Sequence, residues 1–353
     1  MHDDLRSASS STGATGGEHQ LAGHDEPSGG AARTDILLIS TDRAPDLRHS
    51  LPAAMVQPQA QVTVIDNACT DDTAQVASRA GARVLGLERR ASWCAANNAA
   101  IAATAAQEVL LLNADCFLAP DFLARARPRL WEPGIGSVAP KLLRALAPGR
   151  PLPEIDAAGI VLDRARKNNL VGHGEPRECY SHPGLCFGAD GAAALYRRAV
   201  LEDCALDGAP FDECFEKYAS DVDLAWRAQL LGWGCAYEPR AIAHHLRTYG
   251  PSTRAQVDEA ARRMQFRNRY LMIAKNETAA GLLRHGAWIV VYELLAAGYV
   301  LTRERHLLLG YRDAWQRLPQ ARRRRALVQA HRRELLRTGR RIGSPPFGLR
   351  ATR

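Results

Sequence analysis

Two short apolar runs that each end in an acid constrain this chain most. Val62-Thr63-Val64-Ile65 stops at Asp66-Asn67, and Val109-Leu110-Leu111-Leu112 stops at Asn113-Ala114-Asp115. A short apolar run bounded by turn residues reads as a strand buried on both faces. Asp35 to Ser40 and Arg83 to Leu87 read the same way. Helix signals lie between them. Thr70 or Asp71 can cap a helix from Thr73 to Ala80, Gly81 stops it, and Trp93 to Ala106 is rich in alanine. Strands alternating with helices at this spacing predict an α/β fold with a mostly parallel sheet, covered on both faces.

In such a sheet, ligands bind at the carboxyl ends of the strands. Asp66 and Asp115 sit at two of those ends. Together they suit a nucleotide site. One can accept a hydrogen bond from a base or ribose. The other can hold a divalent cation, because Mg²⁺ favours one or two carboxylates plus phosphate oxygens. Helix capping by Asp66 and Asp71 is the alternative that the residues leave open. Neither G-x-G-x-x-G nor G-x-x-x-x-G-K-[ST] follows a strand, which argues against a Rossmann dehydrogenase and a P-loop enzyme.

Strand-like patterns continue at Gly136 to Leu143, Ile155 to Leu162 and Gly191 to Tyr196, with helices at Arg197 to Asp203 and Asp221 to Leu231. Asp223 and Arg227 are spaced to pair on one helix face. Beyond Pro251 the chain reads as helical to residue 340. Residues 1–33 are Ser, Gly, Ala and charge without apolar periodicity, and are expected to be disordered.

Six segments in order resemble one family. Val64-Ile65-Asp66-Asn67-Ala68-Cys69-Thr70-Asp71-Asp72-Thr73 resembles the nucleoside-binding signature of family-2 glycosyltransferases. Ala91-Ser92-Trp93-Cys94-Ala95-Ala96-Asn97-Asn98 is similar to its Asn-ending stretch, and Leu111 to Asp115 to its Asp-x-Asp metal motif. Gly191 to Arg198, Phe211-Asp212-Glu213 to Arg227, and Pro239 to His245 resemble the segments that follow. The nearest flavour is the bacterial rhamnosyltransferase-like branch. This resemblance implies a GT-A fold over 34–250, with a nucleotide-binding half at 34–118 and an acceptor half at 119–250. It implies an inverting transfer of a sugar, such as rhamnose, from a nucleotide-diphosphate donor to a hydroxyl of a cell-envelope or exported glycan. Asp66, Asn67, Asn98, Asn113 and Asp115 would bind the nucleotide-sugar, Asp115 and His245 would hold Mg²⁺ or Mn²⁺, and Asp221 would be the catalytic base. An inverting transfer needs such a carboxylate opposite the leaving group to take the acceptor proton. At a helix start its pKa is expected to be lowered by the macrodipole.

The chain departs from the pattern at several points. Ser220 replaces an acid, Ser92 a glycine and Cys69 a serine, and Ser40-Thr41-Asp42-Arg43 follows the first strand. These changes favour the rival reading of a catalytically degenerate relative that binds a nucleotide or glycan. Intact Asp66, Asp115 and Asp221 oppose it. A second rival groups His173, Cys179, His182 and Cys186 around zinc, but their spacing fits no standard finger.

Charge is uneven. Residues 303–353 hold fifteen arginines against Glu304, Asp313 and Glu334, so a formal net charge of +8 overall leaves the body acidic. A basic tail at 341–353 and a helical extension at 251–340 suit an anionic membrane surface and a lipid-linked glycan acceptor. Without aromatic residues interleaved in the arginine clusters, nucleic acid is disfavoured. Gly286 to Leu301 is apolar apart from Glu293 and is expected to be a buried or interfacial helix, too short to span. The start lacks a secretory leader and the cysteines read as reduced thiols, giving a cytoplasmic expectation.

Overall fold

The computed structural model describes residues 34–247, 256–340 and 342–352. The segment 1–33 lies outside them. The first half runs β1 (Thr34–Ser40), α1 (Ala44–Met55), β2 (Ala60–Asp66), α2 (Thr73–Arg79), β3 (Arg83–Gly86), α3 (Trp93–Ala102) and β4 (Glu108–Asn113). The four strands lie in the order β3-β2-β1-β4, all parallel. Leu37, Ile39, Ile65 and Leu111 enter one apolar layer, and Ile36, Leu38, Val64 and Leu110 enter the other. Burial of both faces is why these strands read as unbroken apolar runs. The register sets Ser40 beside Asp66 and Ile39 beside Asn113, so the acids gather at one edge.

The second half adds β5 (Cys116–Leu118), α4 (Phe122–Leu130), β6 (Ile135–Ala147), β7 (Arg150–Ala157), β8 (Ile160–Leu162), β9 (Asn168–Leu170), β10 (Gly184–Cys186), β11 (Ala193–Arg197), α5 (Arg198–Asp203), α6 (Ser220–Leu230) and β12 (Gly234–His245). The sheet continues from β4 through β11, β6 and β12 to β10. β11 is antiparallel to both β4 and β6, whereas β12 is parallel to β6. β5 pairs with the end of β12 and sets His245 opposite Cys116, beside Asp115 in sequence.

Three local expectations change. The strand expected over Ile155 to Leu162 breaks at Gly159, whose φ is +85°. A Cβ there would also fall 2.8 Å from the Cys186 sulfur, so the bend needs glycine. The helix from Trp93 ends at Ala102, and the short alanine-rich stretch before β4 is irregular. Helix α1 has no matching sequence signal. It begins Ala-Pro, contains Pro52 and is capped by the distant Asp71 carboxylate, which accepts from the Ala44 N–H at 2.8 Å.

Three long helices close the chain: α7 (Glu259–Asn276), α8 (Ala279–Thr302) and α9 (Leu308–Arg337). α7 and α9 run in the same direction. Arg263 meets Asp313 at 2.6 Å near their starts, and Arg325, midway along α9, donates to the Glu277 carbonyl just past the end of α7. α8 runs back between those points. The core of the contact with α6 is ionic: buried Lys275 reaches Asp212 at 2.5 Å and Asp223 at 2.8 Å. Asp223 also pairs with Arg227 at 3.0 Å, the helix pair the spacing predicts.

The arginine-rich end is a clamp rather than a free tail. Arg317 pairs with Glu216 at 3.0 Å, Arg340 with Asp203 at 2.8 Å, and Arg324 with Asp212. Residues 342–352 also return to the body. The Phe347 ring lies 3.6 Å from the Arg166 guanidinium and meets Trp226 edge-on at 5.4 Å, while the Gly348 N–H donates to the Leu162 carbonyl at 2.8 Å. One aromatic anchor outweighs the solvating effect of the charge around it.

Candidate active site

At the carboxyl edge of the parallel strands, Asp66 accepts from the Cys69 N–H at 2.7 Å and fixes the turn into α2. Arg90 crosses this edge and holds Asp42 at 2.6 Å. Cys69 takes a hydroxyl's place here, its sulfur 3.3 Å from the Ser40 carbonyl. Ser92 caps α3, accepting from the Ala95 N–H with φ of −63°, so the usual glycine is not needed there. Asn113 accepts from the Trp93 indole at 3.2 Å.

Beyond Asp115 the polar groups form a chain that spans both halves. His245 Nε2 lies 3.5 Å from Asp115, and its Nδ1 lies 2.8 Å from Asp156. Arg247 then bridges Asp156 at 2.7 Å and Asp190 at 2.8 Å. Burial pushes the imidazole pKa down, but hydrogen bonds to Asp115 and Asp156 outweigh it and hold His245 at about 9. Burial likewise opposes the charge on Asp115, and His245 with Arg43 still keeps its carboxyl below the usual range. His244 faces away, lining a separate cavity with His49 and Phe117. Strand alternation requires that separation.

Asp221 sits in the first turn of α6. Its carboxylate accepts from the Gly191 N–H at 3.1 Å and the Val222 N–H at 2.8 Å. Burial, and then the charge of Asp190, push its pKa up to about 6. The helix start alone was expected to lower it. The two N–H bonds act in that direction but are outweighed. The carboxylate opens on a cavity of about 420 Å³ that Asp190, Tyr218, Arg247, Arg269 and Tyr292 also line. Ser220 donates to the Lys217 carbonyl at 2.6 Å.

The structure therefore brings Asp115 and His245 together, sets Asp66 and Asn113 on the same sheet edge, and places Asp221 in the neighbouring cavity. Asn67 and Asn98 are different. Asn67 spends its amide on Thr41 and on both backbone groups of Ala91. Asn98 is held by both backbone groups of Phe211 and by Glu213. Both are buried, and their hydrogen bonds fasten loops. Asp156, Asp190 and Arg247 carry no local motif. Arg247 follows His245 by two residues, the period that keeps a strand's side chains on one face, and that is the signal available for it.

A carboxylate oxygen and an imidazole nitrogen 3.5 Å apart suit two ligands of one divalent ion. Asp156 orients the imidazole through its other nitrogen, as carboxylates commonly do for metal-binding histidines. The residues fit a metal. Elsewhere, Asp42, Cys69 and Asp71 bring their ligand atoms within 4.8 Å of one another. Their oxygens are already taken by Thr70, Arg90, Ala44 and Thr73. The zinc reading does not hold among the described residues. His173 turns to the Asp156 carbonyl at 2.8 Å, and Cys186 packs against Cys235 at 3.5 Å.

Comparison with known proteins gives one family. Residues 35–204 match the model for Glycosyl transferase family 2. A protein of Sinorhizobium fredii, y4gI, described as uncharacterized, is 29% identical over 194 residues, covering 52% of this chain and 20% of its own length. The chain thus spans about a fifth of that relative. Among solved structures, GalNAc-T7 with UDP, GalNAc and Mn²⁺ aligns at a TM-score of 0.54 and 12% identity, covering 69% of this chain and 48% of that one. S. aureus TarS 1–349 in complex with UDP-GlcNAc aligns at 0.52 and 16% identity, covering 91% and 97%. Residues 35–204, just under half of the chain, are therefore similar to family-2 glycosyltransferases, and the chain has the GT-A fold.

Proposed function

We propose that the chain is an inverting, metal-assisted glycosyltransferase. It moves a sugar from a nucleotide-diphosphate donor to a hydroxyl of a cell-envelope or exported glycan, lipid-linked and presented at the inner face of the cell membrane. The observation that carries this reading is Asp221, a carboxylate with its pKa raised to about 6 at the wall of a cavity next to the Asp115–His245 pair. The nucleotides in GalNAc-T7 and TarS support the donor class. The resemblance to the rhamnosyltransferase-like branch supports a deoxyhexose, rhamnose first.

The roles follow from charge and reach. Asp221 takes the proton of the acceptor hydroxyl as its oxygen bonds to the anomeric carbon. The bond from that carbon to the diphosphate breaks on the opposite face, and its electron pair leaves with the phosphate oxygen. A base with a pKa near 6 is mostly ionised at pH 7 yet still basic enough to accept a proton. A divalent ion held by Asp115 and His245 would supply positive charge against the departing diphosphate. Arg247 keeps Asp156 and Asp190 paired, so the acidic residues around Asp221 do not all repel it.

The test is a thermal-shift panel of UDP, dTDP, GDP and CDP, each with and without Mn²⁺. Ligand at 100 times its Kd stabilises by about 2.7 kcal/mol, which moves the midpoint by a few degrees. A shift with one nucleotide plus metal supports the donor site. Transfer to a glycan acceptor then separates an enzyme from a binding-only relative. No shift with any nucleotide would overturn the reading.

A further inference from the structure

Helix α8 is apolar on the side turned away from the protein. Leu283 is 89% exposed, Leu294 and Leu295 are each 70% exposed, and Trp288, Val291 and Leu301 are more than half exposed. Contiguous apolar surface of this kind marks an interaction site. From Ala287 to Thr302 the single charged residue is Glu293, and it points inward, pairing with Arg269 at 2.5 Å and accepting from the Tyr270 hydroxyl at 2.6 Å. The outer face thus carries no charge for four turns. Its ends are cationic, with Arg284, Arg303 and Arg305 all exposed.

A second cationic feature adjoins the start of the helix. A cavity of about 640 Å³ is bounded by Thr278, Ala279 and Ala280 on one side and by Arg322, Arg332 and Arg333 of α9 on another. Among the described residues no carboxylate pairs with these three arginines, in contrast to the clamp arginines elsewhere on α9. An uncharged face flanked by unpaired cations is complementary to an anionic lipid surface, with acyl chains under the face and phosphates at the rim.

The 24 residues of α8 are long and apolar enough to cross a bilayer, more than the sequence reading allowed. Its attachments dictate the orientation instead. At one end the Gly281 carbonyl accepts from Arg166 at 3.5 Å, in the middle Glu293 is held by Arg269, and at the far end Glu304 lies 3.8 Å from Arg262. Both ends are tied to the same face of one folded body. A spanning helix must put its ends on opposite sides of about 30 Å of hydrocarbon.

We infer that α8 lies along an anionic phospholipid surface, its outer face in the headgroup–acyl boundary and the Arg322–Arg332–Arg333 cavity against lipid phosphates. This deepens the proposed function, and rests on it only for what the cavity above would do. Tyr292, on the inner side of α8, lines the cavity that holds Asp221. That cavity is then one helix diameter, about 10 Å, above the lipid. An acceptor with a lipid tail and a glycan head spans that distance without leaving the bilayer.

Flotation of the full chain with vesicles tests the inference. The vesicles are phosphatidylcholine alone, or phosphatidylcholine with about one third phosphatidylglycerol. The unmodified chain should bind anionic vesicles at least tenfold better than neutral ones. Leu294→Glu with Leu295→Glu should reduce anionic binding at least tenfold, and Arg332→Glu with Arg333→Glu should remove most of the preference for anionic lipid. Brominated lipid should quench the unmodified chain more than Trp288→Phe. Absence of flotation, or flotation unchanged by the leucine pair, would overturn the inference. So would a dimer that the leucine pair dissociates without any lipid binding, which would assign the face to a second copy. Nucleotide shifts are measured without vesicles, so loss of the donor site and loss of lipid binding are separate results. All these substituted side chains are solvent-facing or half-exposed, and an unchanged melting midpoint checks that each variant folds.

Discussion

The backbone N–H of Gly191 donates to the Asp221 carboxylate at 3.1 Å, so the proposed base is seated by the segment entering β11 as well as by its own helix. A Cβ on Gly191 would fall 3.0 Å from the Trp93 ring and 3.6 Å from the Asp221 carboxylate. Trp93 in turn donates to Asn113. Gly191→Ala should therefore displace a ring that touches both halves of the site. Overpacking of this kind costs about 1 to 3 kcal/mol. We expect kcat to fall about tenfold or more, since small misplacements of reacting groups are amplified in the rate. Steady-state kinetics beside a melting curve will separate the two effects, and an unchanged kcat would remove the seating role.

Asp221→Asn should abolish most transfer while nucleotide binding persists. General-base catalysis contributes roughly a hundred- to ten-thousandfold. The same change should stabilise the fold at pH 8. The folded pKa of about 6 lies above the unfolded value. Stability conferred by the neutral carboxyl is complete below the unfolded value and fades as pH rises to 6. Above that, the ionised carboxylate is a fixed burden on the order of 1 to 3 kcal/mol, which asparagine does not carry. Chemical denaturation of both forms at pH 8 measures it, and lower stability in the variant would contradict the assignment.

The same ionisation sets the pH profile. With Asp221 at about 6, kcat/KM should be flat near neutrality and fall tenfold per pH unit below 6. An acidic limb near 4 would mean that the base is a carboxylate with an ordinary pKa.

Asp115→Asn and His245→Ala should each remove the Mn²⁺-dependent part of a nucleotide thermal shift, and EDTA should do the same to the unmodified chain. Loss of one coordinating or orienting group commonly lowers metal affinity by about ten- to a hundredfold. A Mn²⁺ effect that survives both substitutions would move the metal elsewhere.

Lys275→Met should be strongly destabilising. The ammonium is buried between Asp212 and Asp223, and removing one member of such a group leaves the others charged and poorly compensated, at about 3 to 5 kcal/mol. Urea unfolding gives the number. A loss below about 1 kcal/mol would mean that Arg227 and Arg324 suffice to neutralise the pair of acids.

The strand-end acids of the proposed donor edge were legible in the sequence because they terminate apolar strands, a local pattern. Asp66, Asn113 and Asp115 fall where strand ends must place them. The cluster around Asp156 and Arg247 was less legible because its charges meet across long separations. Asp156 reaches His245 over 89 residues, on a strand whose own sequence reads only as apolar alternation. Arg247 and Asp190 have no spacing that announces a pair. Asn67 and Asn98 illustrate the converse. They stand at motif positions, yet an amide with four hydrogen-bonding sites is as useful for fastening a loop as for touching a sugar. In the arginine-rich end, composition counts charges without showing that Glu216, Asp203 and Asp212 stand opposite some of them.

Lys275 binds Asp223 two residues after the proposed base, and Phe347 closes on Trp226 of the same helix. The C-terminal helices proposed to face lipid and the helix bearing Asp221 are thus parts of one cooperative unit. Heat or urea should take away sugar transfer and vesicle binding in a single transition, and protease cannot shed α7 to α9 and leave a working core behind. If the proposed lipid contact holds, a loss of attachment that comes from unfolding is then also a loss of the proposed catalysis.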